Sequence, residues 1–364
     1  MNIIDEEGRL FGYANVVDAL VVLVVVAVVA AGTAFVLAPE PEQPEPTTAT
    51  TNATLDLGTQ PDYIASSIEA GDSFAPAADN ELTVTDVHLA PGGDGTRVVL
   101  GVELQGTVAG DTIKYNGAPP RLGRSLTIQT DSYQASGTIR AVGDTETFDT
   151  TSTELLTRTT LSAEDARNLT AGQEIRVAGR TVGTVESVTT YGTTSPDRKQ
   201  VYVGLSLDTV TLERQPRFGG TVVREGATVP VQTNVQSFTG EIQRVGTTSQ
   251  PGEQAARTVT LRMRNVPPEV AESVQAGMEE SNAEGTVARL TDVERSESTV
   301  VLTSDDGNIY ERVHPVNQDV RLTAELSVRE TATGATFKGQ TLQQGRTVVL
   351  DLGTVTVEAT VVTA

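Results

Sequence analysis

The stretch VYVGLSLDTVTLERQPRFGGTVVREGATVPVQTNVQSFTGEIQRV, residues 201–245, decides the fold, because its pattern occurs three times in the chain. It aligns without a gap on 98–142, an offset of 103 residues, and on 320–364, a further 119. Each copy opens on an apolar strand with near alternation: VVLGVEL (98–104), VYVGLSL (201–207) and VRLTAEL (320–326). An aromatic residue and a glycine follow in register, Tyr115/Gly117, Phe218/Gly220 and Phe337/Gly339. A second glycine comes six residues later, at Gly123, Gly226 and Gly345. Period-two alternation with β-branched enrichment predicts strands, and the repeated glycines predict the turns between them.

Upstream of each copy stands a shorter element: IASSIEAG (64–71), DARNLTAG (165–172) and VAESVQAG (270–277). These read as short helices closed by a C-cap glycine, with Pro267 and Pro268 where a helix start tolerates proline. The polar stretches GDTETFDTTSTE and GTTSQPGEQAART read as linkers, which sets the repeats at 61–144, 162–246 and 267–364. Packing constrains core and turn positions while the remainder diverges, the behaviour of duplicated units. The expected class is therefore mainly β. An N-terminal transmembrane helix is followed by three repeated small β modules, barrel-like or two-layer, each preceded by a short helix.

The transmembrane expectation comes from residues 19–37, ALVVLVVVAVVAAGTAFVL, which carry no charge. At 1.5 Å rise per residue this run just covers a hydrocarbon core of roughly 30 Å. It is too long for the apolar part of a cleaved signal peptide, and the acidic segment 1–18 before it has Arg9 as its only cation. A retained signal anchor is the better fit; cleavage near 30–34 is the competing reading. Arg9 precedes the span and no Lys or Arg lies between Leu37 and Arg97, so positive charge favours a cytoplasmic 1–18 and an extracellular remainder. Asp18 marks the cytoplasmic edge of the bilayer. Residues 38–60, rich in Pro, Thr and Glu at their start, read as an extended stalk.

The chain carries 48 acidic residues against 26 basic, a formal charge of −22, and its only lysines are Lys114, Lys199 and Lys338. Such a balance opposes nucleic acid as a partner, because phosphate binding needs a basic surface. It also offers no polybasic cluster for anionic lipid. An acidic, lysine-poor composition is that of a halophilic protein, whose self-repulsion high salt screens. With no cysteine there is no disulfide framework.

Little here prepares a catalyst. The two histidines, His88 and His314, belong to no metal-binding or nucleophile motif. His88, in TDVHLAPGG, reads as a surface or turn residue at a strand end; His314 precedes a proline and lies in an extended segment. Asp305, Asp306 and Asn308 read as a polar hairpin turn rather than a calcium loop, since the alternating ligands and distal glutamate are missing. The expectation is no catalytic residue, no metal and no cofactor. Two glycosylation acceptor triplets begin at Asn52 and Asn168, with Asn52 the more accessible if the stalk is extended.

The residues Asp5, Gly8, Arg9, Leu10, Phe11, Gly12, Asn15 and Asp18 spell D-x-x-G-R-L-F-G-x-x-N-x-x-D. That pattern resembles the opening signature of an uncharacterised domain-of-unknown-function family of single-span proteins with an extracytoplasmic β-rich region. The resemblance implies no activity. A second, partial resemblance lies in 169–188, where Gly172, Gly179, Gly183 and Val185 are similar to the glycine-spaced hairpin of mammalian-cell-entry domains. It implies a compact barrel, ring-forming homo-oligomers and lipid carriage between membranes. Three units and no long C-terminal helix depart from that pattern. The function expected is that of a non-enzymatic envelope binding or scaffold component, held in the bilayer by 19–37 and facing an unidentified envelope protein. The alternative is a lipid-handling transport component of the mammalian-cell-entry type.

Overall fold

A computed structural model describes residues 9–10, 14–36, 47–143, 150–212, 214–303 and 309–364. The chain divides into two units, Met1–Thr47 and Thr48–Ala364. In the first, β1 (Arg9–Leu10) pairs antiparallel with β2 (Ala14–Asn15), Arg9 opposite Asn15, and α1 (Val16–Val36) follows directly. Helix α1 begins three residues before the predicted span and holds 21 residues. Its side chains are described at Val17, Asp18 and 20–30, all exposed. Among the described residues no helix is long and apolar enough to cross a membrane.

The second unit contains three modules. The first comprises β3 (Thr48–Gln60), α2 (Asp62–Ser67), β4 (Ser73–Ala77), β5 (Asn80–Pro91), β6 (Thr96–Ala109), β7 (Thr112–Lys114), β8 (Ser125–Gln129) and β9 (Gln134–Val142). The second comprises β10 (Thr150–Ser162), α3 (Ala163–Asn168), β11 (Glu174–Val177), β12 (Arg180–Gly192), β13 (Arg198–Leu212), β14 (Gln215–Phe218), β15 (Thr221–Val222), β16 (Thr228–Gln232) and β17 (Ser237–Val245). The third comprises β18 (Glu253–Val266), α4 (Pro268–Ser273), β19 (Glu279–Asn282), β20 (Gly285–Thr303), β21 (Ile309–Thr331), β22 (Gly334–Phe337), β23 (Gln340–Thr341), β24 (Thr347–Asp351) and β25 (Thr356–Thr363).

One strand order serves all three: β4-β5-β6-β3-β9-β8, β11-β12-β13-β10-β17-β16 and β19-β20-β21-β18-β25-β24. The sheets are barrel-like, and in the second a bridge from Ile175 to Thr233 brings the outer strands together. Curvature has a repeated cause. A bulge interrupts the third strand of each module at Val84/Asp86, Val185/Ser187 and Leu290/Asp292. Another interrupts the first strand at Thr54/Leu55, Leu156/Thr157 and Thr260/Leu261. Bulges increase local twist and bend a sheet, which is what closing one requires.

The core follows the alternation. Val98, Leu100, Val102 and Leu104 on β6, their equivalents Val201, Val203, Leu205 and Leu207 on β13, and Val320, Leu322, Ala324 and Leu326 on β21 are all buried. Gly117, Gly220 and Gly339 have φ of 79°, 82° and 78°; Gly123, Gly226 and Gly345 have φ of 80°, 78° and 84°. The residues before the first three glycines, Asn116, Gly219 and Lys338, also have positive φ, so each pair forms the centre of a tight primed hairpin turn.

Three readings need correction. Residues 48–60 are strand rather than stalk, and much of both linkers belongs to β10 and β18. Each module thus gains a first strand at the middle of its sheet. TATTNATLDLGTQ and TTSTELLTRTTLS look polar, but threonine is β-branched, and Thr54 and Thr157 are buried within these strands. The glycines Gly71, Gly172 and Gly277 do not cap the short helices. The caps are the extended residues Ile68, Leu169 and Val274, all buried. Each glycine stands three residues further on, where its N–H donates to the third strand's carbonyl at Val84, Val185 or Leu290, 2.7 Å in every case. Finally, Asn52 is half-buried in β3, opposite Glu103, and its carbonyl accepts from the Gly143 N–H at 2.9 Å.

Candidate functional site at the module junctions

Successive modules meet through equivalent surfaces. Strand β5 of the first lies against β11 and β16 of the second, and its equivalent β12 lies against β19 and β24 of the third. The primed turn of each following module reaches the start of the fourth strand of the module before it. A Cβ built on Gly219 would sit 2.7 Å from the Pro91 carbonyl oxygen, and one on Gly220 would meet the Arg97 guanidinium at 3.5 Å. At the second junction the Lys338 carbonyl accepts from Gln200 Nε2 at 3.1 Å and from the Tyr202 hydroxyl at 3.4 Å. Gln200 and Tyr202 align on Arg97 and Val99.

The first junction is built on a strand buried on both faces. After its bulge β5 runs His88-Leu89-Ala90-Pro91, all buried, so one side chain after another faces either its own barrel or the next. Buried apolar residues of the first and second modules accordingly form one continuous core. His88 is therefore not the surface residue its strand-end position suggests. Its ring meets the edge of Phe218 at 6.4 Å between centroids, and burial lowers its pKa to about 4, leaving the imidazole neutral at pH 7. Beside it lies a cavity of about 190 Å³ lined by Asp56, Arg97, Arg140, Arg217 and Gly220. Asp56 Oδ2 accepts from Arg97 Nη2 at 2.7 Å and from Arg140 Nε at 3.3 Å, and Oδ1 accepts from the Gly58 N–H at 2.9 Å.

The second junction is ionic. Lys338 Nζ donates to Glu280 Oε2 at 2.6 Å and to the Val349 carbonyl at 2.7 Å. Glu280 also accepts from the Gly192 N–H at 2.9 Å and the Asp351 N–H at 3.0 Å, and Asp351 pairs with Lys199. Burial lowers the Lys338 pKa, against the opposing pull of Glu280. Lysine is an unusual choice for the φ of 51° that this turn imposes; Asn116 and Gly219, at the same place, enter that conformation readily. Its side chain compensates by reaching the buried carboxylate. Next to the network opens a cleft of about 790 Å³, floored by Ala166, Leu169 and Val188 and edged by Arg167, Tyr191 and Lys199.

The anticipated residues fall elsewhere. Arg9, Leu10 and Asn15 lie on the β1–β2 ladder and Asp18 in the first turn of α1. Asp5, Gly8, Phe11, Gly12, Asp305, Asp306 and Asn308 lie outside the described residues. Asn168, exposed, ends α3. Of the glycine-spaced set, Gly172 and Gly179 have φ of 86° and 83°. Gly183 leaves no room for a Cβ, which would lie 2.5 Å from the Ser206 carbonyl oxygen, and Val185 is core. His314 Nδ1 accepts from the N–H groups of Val316 at 3.2 Å and Asn317 at 2.8 Å. Among the described residues no group of three or more His, Cys, Asp or Glu is placed to hold a metal ion. The junction residues Asp56, Arg97, Arg140, Glu280 and Asp351 escape the sequence reading altogether. One signal was available: of the chain's three lysines, two meet at a single junction.

The fold and junctions define a class, a tandem array of barrel-like β modules joined in series. The chain belongs to the family of DUF4330, a domain of unknown function, whose pattern it matches over residues 1–143 and 243–364. Those two stretches take in the N-terminal unit with the first module, and the third module; nearly all of the second lies between them. No curated protein and no solved structure matches the chain.

Proposed function

We propose that this protein is a single-pass membrane-anchored scaffold whose β modules stand outside the cell and act by binding envelope components rather than by catalysis. The reuse of one surface at both junctions carries the reading, since serial packing presents successive modules to partners in a fixed relation. The anchor rests on 19–37: valine is a mediocre helix former in water, so an uncharged valine-rich helix is best explained by burial in hydrocarbon. The lysine and arginine count gives the orientation.

Protease added to intact cells, with an antibody against each end of the chain, tests both parts. Loss of the C-terminal signal, with a membrane-retained N-terminal fragment of a few kilodaltons, supports the reading. A chain that resists protease until the cells are lysed, or that alkaline carbonate washes from the membrane, ends it.

One observation favours a lipid-handling alternative. The cleft at the second junction has an apolar floor and a volume within the usual range of ligand sites. Organic extraction of the detergent-purified chain decides between the two: stoichiometric lipid from a ring-sized oligomer supports transport, and a lipid-free chain supports the scaffold.

A further inference from the structure

Among the described residues the cavity at the first junction is lined by three arginines and one carboxylate, Asp56. Arg97 on β6 and Arg140 on β9 share the one carboxylate of Asp56, so this trio holds one positive charge in excess, in a chain whose formal charge is −22. The Arg97 Nε is buried and has no hydrogen-bond partner among the described residues. Arg217 of the second module adds a third guanidinium to the wall, its Nη1 donating to the Gly220 carbonyl at 3.4 Å. A cavity of about 190 Å³ far exceeds the space one water needs. Guanidinium groups present planar forks of N–H donors that match the oxygens of a phosphate or sulfate.

We infer that the junction between the first and second modules is an oxyanion site, taking inorganic phosphate or sulfate between Arg97 and Arg140 of one module and Arg217 of the next. Donors from both sides make the anion a bridge between modules. Asp56 is its internal competitor: the carboxylate occupies the guanidinium groups that the anion would engage.

Titration calorimetry of the full chain in neutral detergent, at fixed ionic strength with chloride as the balancing ion, tests this with inorganic phosphate and sulfate as probes. The expected result is saturable binding at one site per chain. Arg97→Gln and Arg140→Gln should each weaken it about tenfold, as loss of a charge-assisted hydrogen bond does. Asp56→Asn should tighten it several-fold, the opposite of what damage to the fold would give. Arg158→Gln, whose partner Glu241 lies outside the cavity lining, should leave it unchanged. In the unmodified chain, phosphate should protect Arg97 and Arg140 from a dicarbonyl reagent, a readout independent of whether any variant folds. Neither oxyanion saturating, no protection of either arginine, or weaker binding by D56N each overturns the proposal.

Discussion

The two junctions use equivalent surfaces and opposite chemistry. Between the first and second modules the apolar core runs through without a break, with Phe218 and His88 at the contact. The third module keeps a core of its own, and what ties it to the second is the Lys199–Asp351 pair and the Gly192 N–H bond to Glu280, a carboxylate that Lys338 of the same module holds in place. A stacking geometry can thus be held by burial in one place and by charge in another. Burial strengthens a joint in proportion to area. Charge adds little net stability once desolvation is subtracted but penalises any arrangement that separates the partners.

The sharpest test of the contrast is Phe218→Ala. Truncating a fully buried aromatic at the shared core should cost about 3–5 kcal/mol. In a calorimetric scan the first two modules should lose stability together while the third melts where it did. A uniform shift of all transitions would show that the junctions do not differ in kind.

Lys338→Met attacks the other joint. It strands the Glu280 carboxylate in a site only 5 % exposed, and the expected loss is about 3–4 kcal/mol, confined to the second and third modules. The K338M/E280Q pair should recover most of it. A double variant as weak as the single would mean that Lys338 matters for its packing, not its charge.

Acid probes the first joint through His88. Its pKa falls from 6.5 to about 4 on folding, so between those values the unfolded chain binds the extra proton. The contribution is whole above pH 6.5 and is lost as pH falls toward 4, about 3 kcal/mol in all. His88→Phe should flatten that part of the stability-against-pH curve measured by denaturant titration. An unchanged slope would place the acid sensitivity in the carboxylates.

The smallest effect belongs to Arg158→Gln. Its pair with Glu241 is about two-fifths exposed and sits within one module, so less than about 1 kcal/mol should follow. A larger loss by the same melting assay would mean that surface pairs rather than joints hold this acidic chain.

How much of this was legible in the sequence differs by level. The fourth strands and their turns could be read because their signals are local: inward valines and leucines two apart, and glycines where φ is positive. The first strands were hidden by threonine, whose hydroxyl looks like a linker's, though Thr157 spends it on the Val203 carbonyl at 3.0 Å inside the barrel. The junctions could not be read by periodicity. Lys199 and Asp351 stand 152 residues apart and only the docking of one barrel on the next brings them together, while Lys338 and Glu280, 58 apart, meet through the folding of the third module itself. His88 misled for a related reason: a strand buried on both faces loses the alternation that would have announced it.

The serial contact has one more consequence. A head-to-tail interface has no internal reason to stop; repeated identically, it grows without limit. The two surfaces that accept a following module present Val99 and Tyr202, both buried by it. At the aligned position the third module presents Arg321, exposed. A second chain docking there would have to bury that guanidinium against turn backbone, which opposes open-ended growth through this surface.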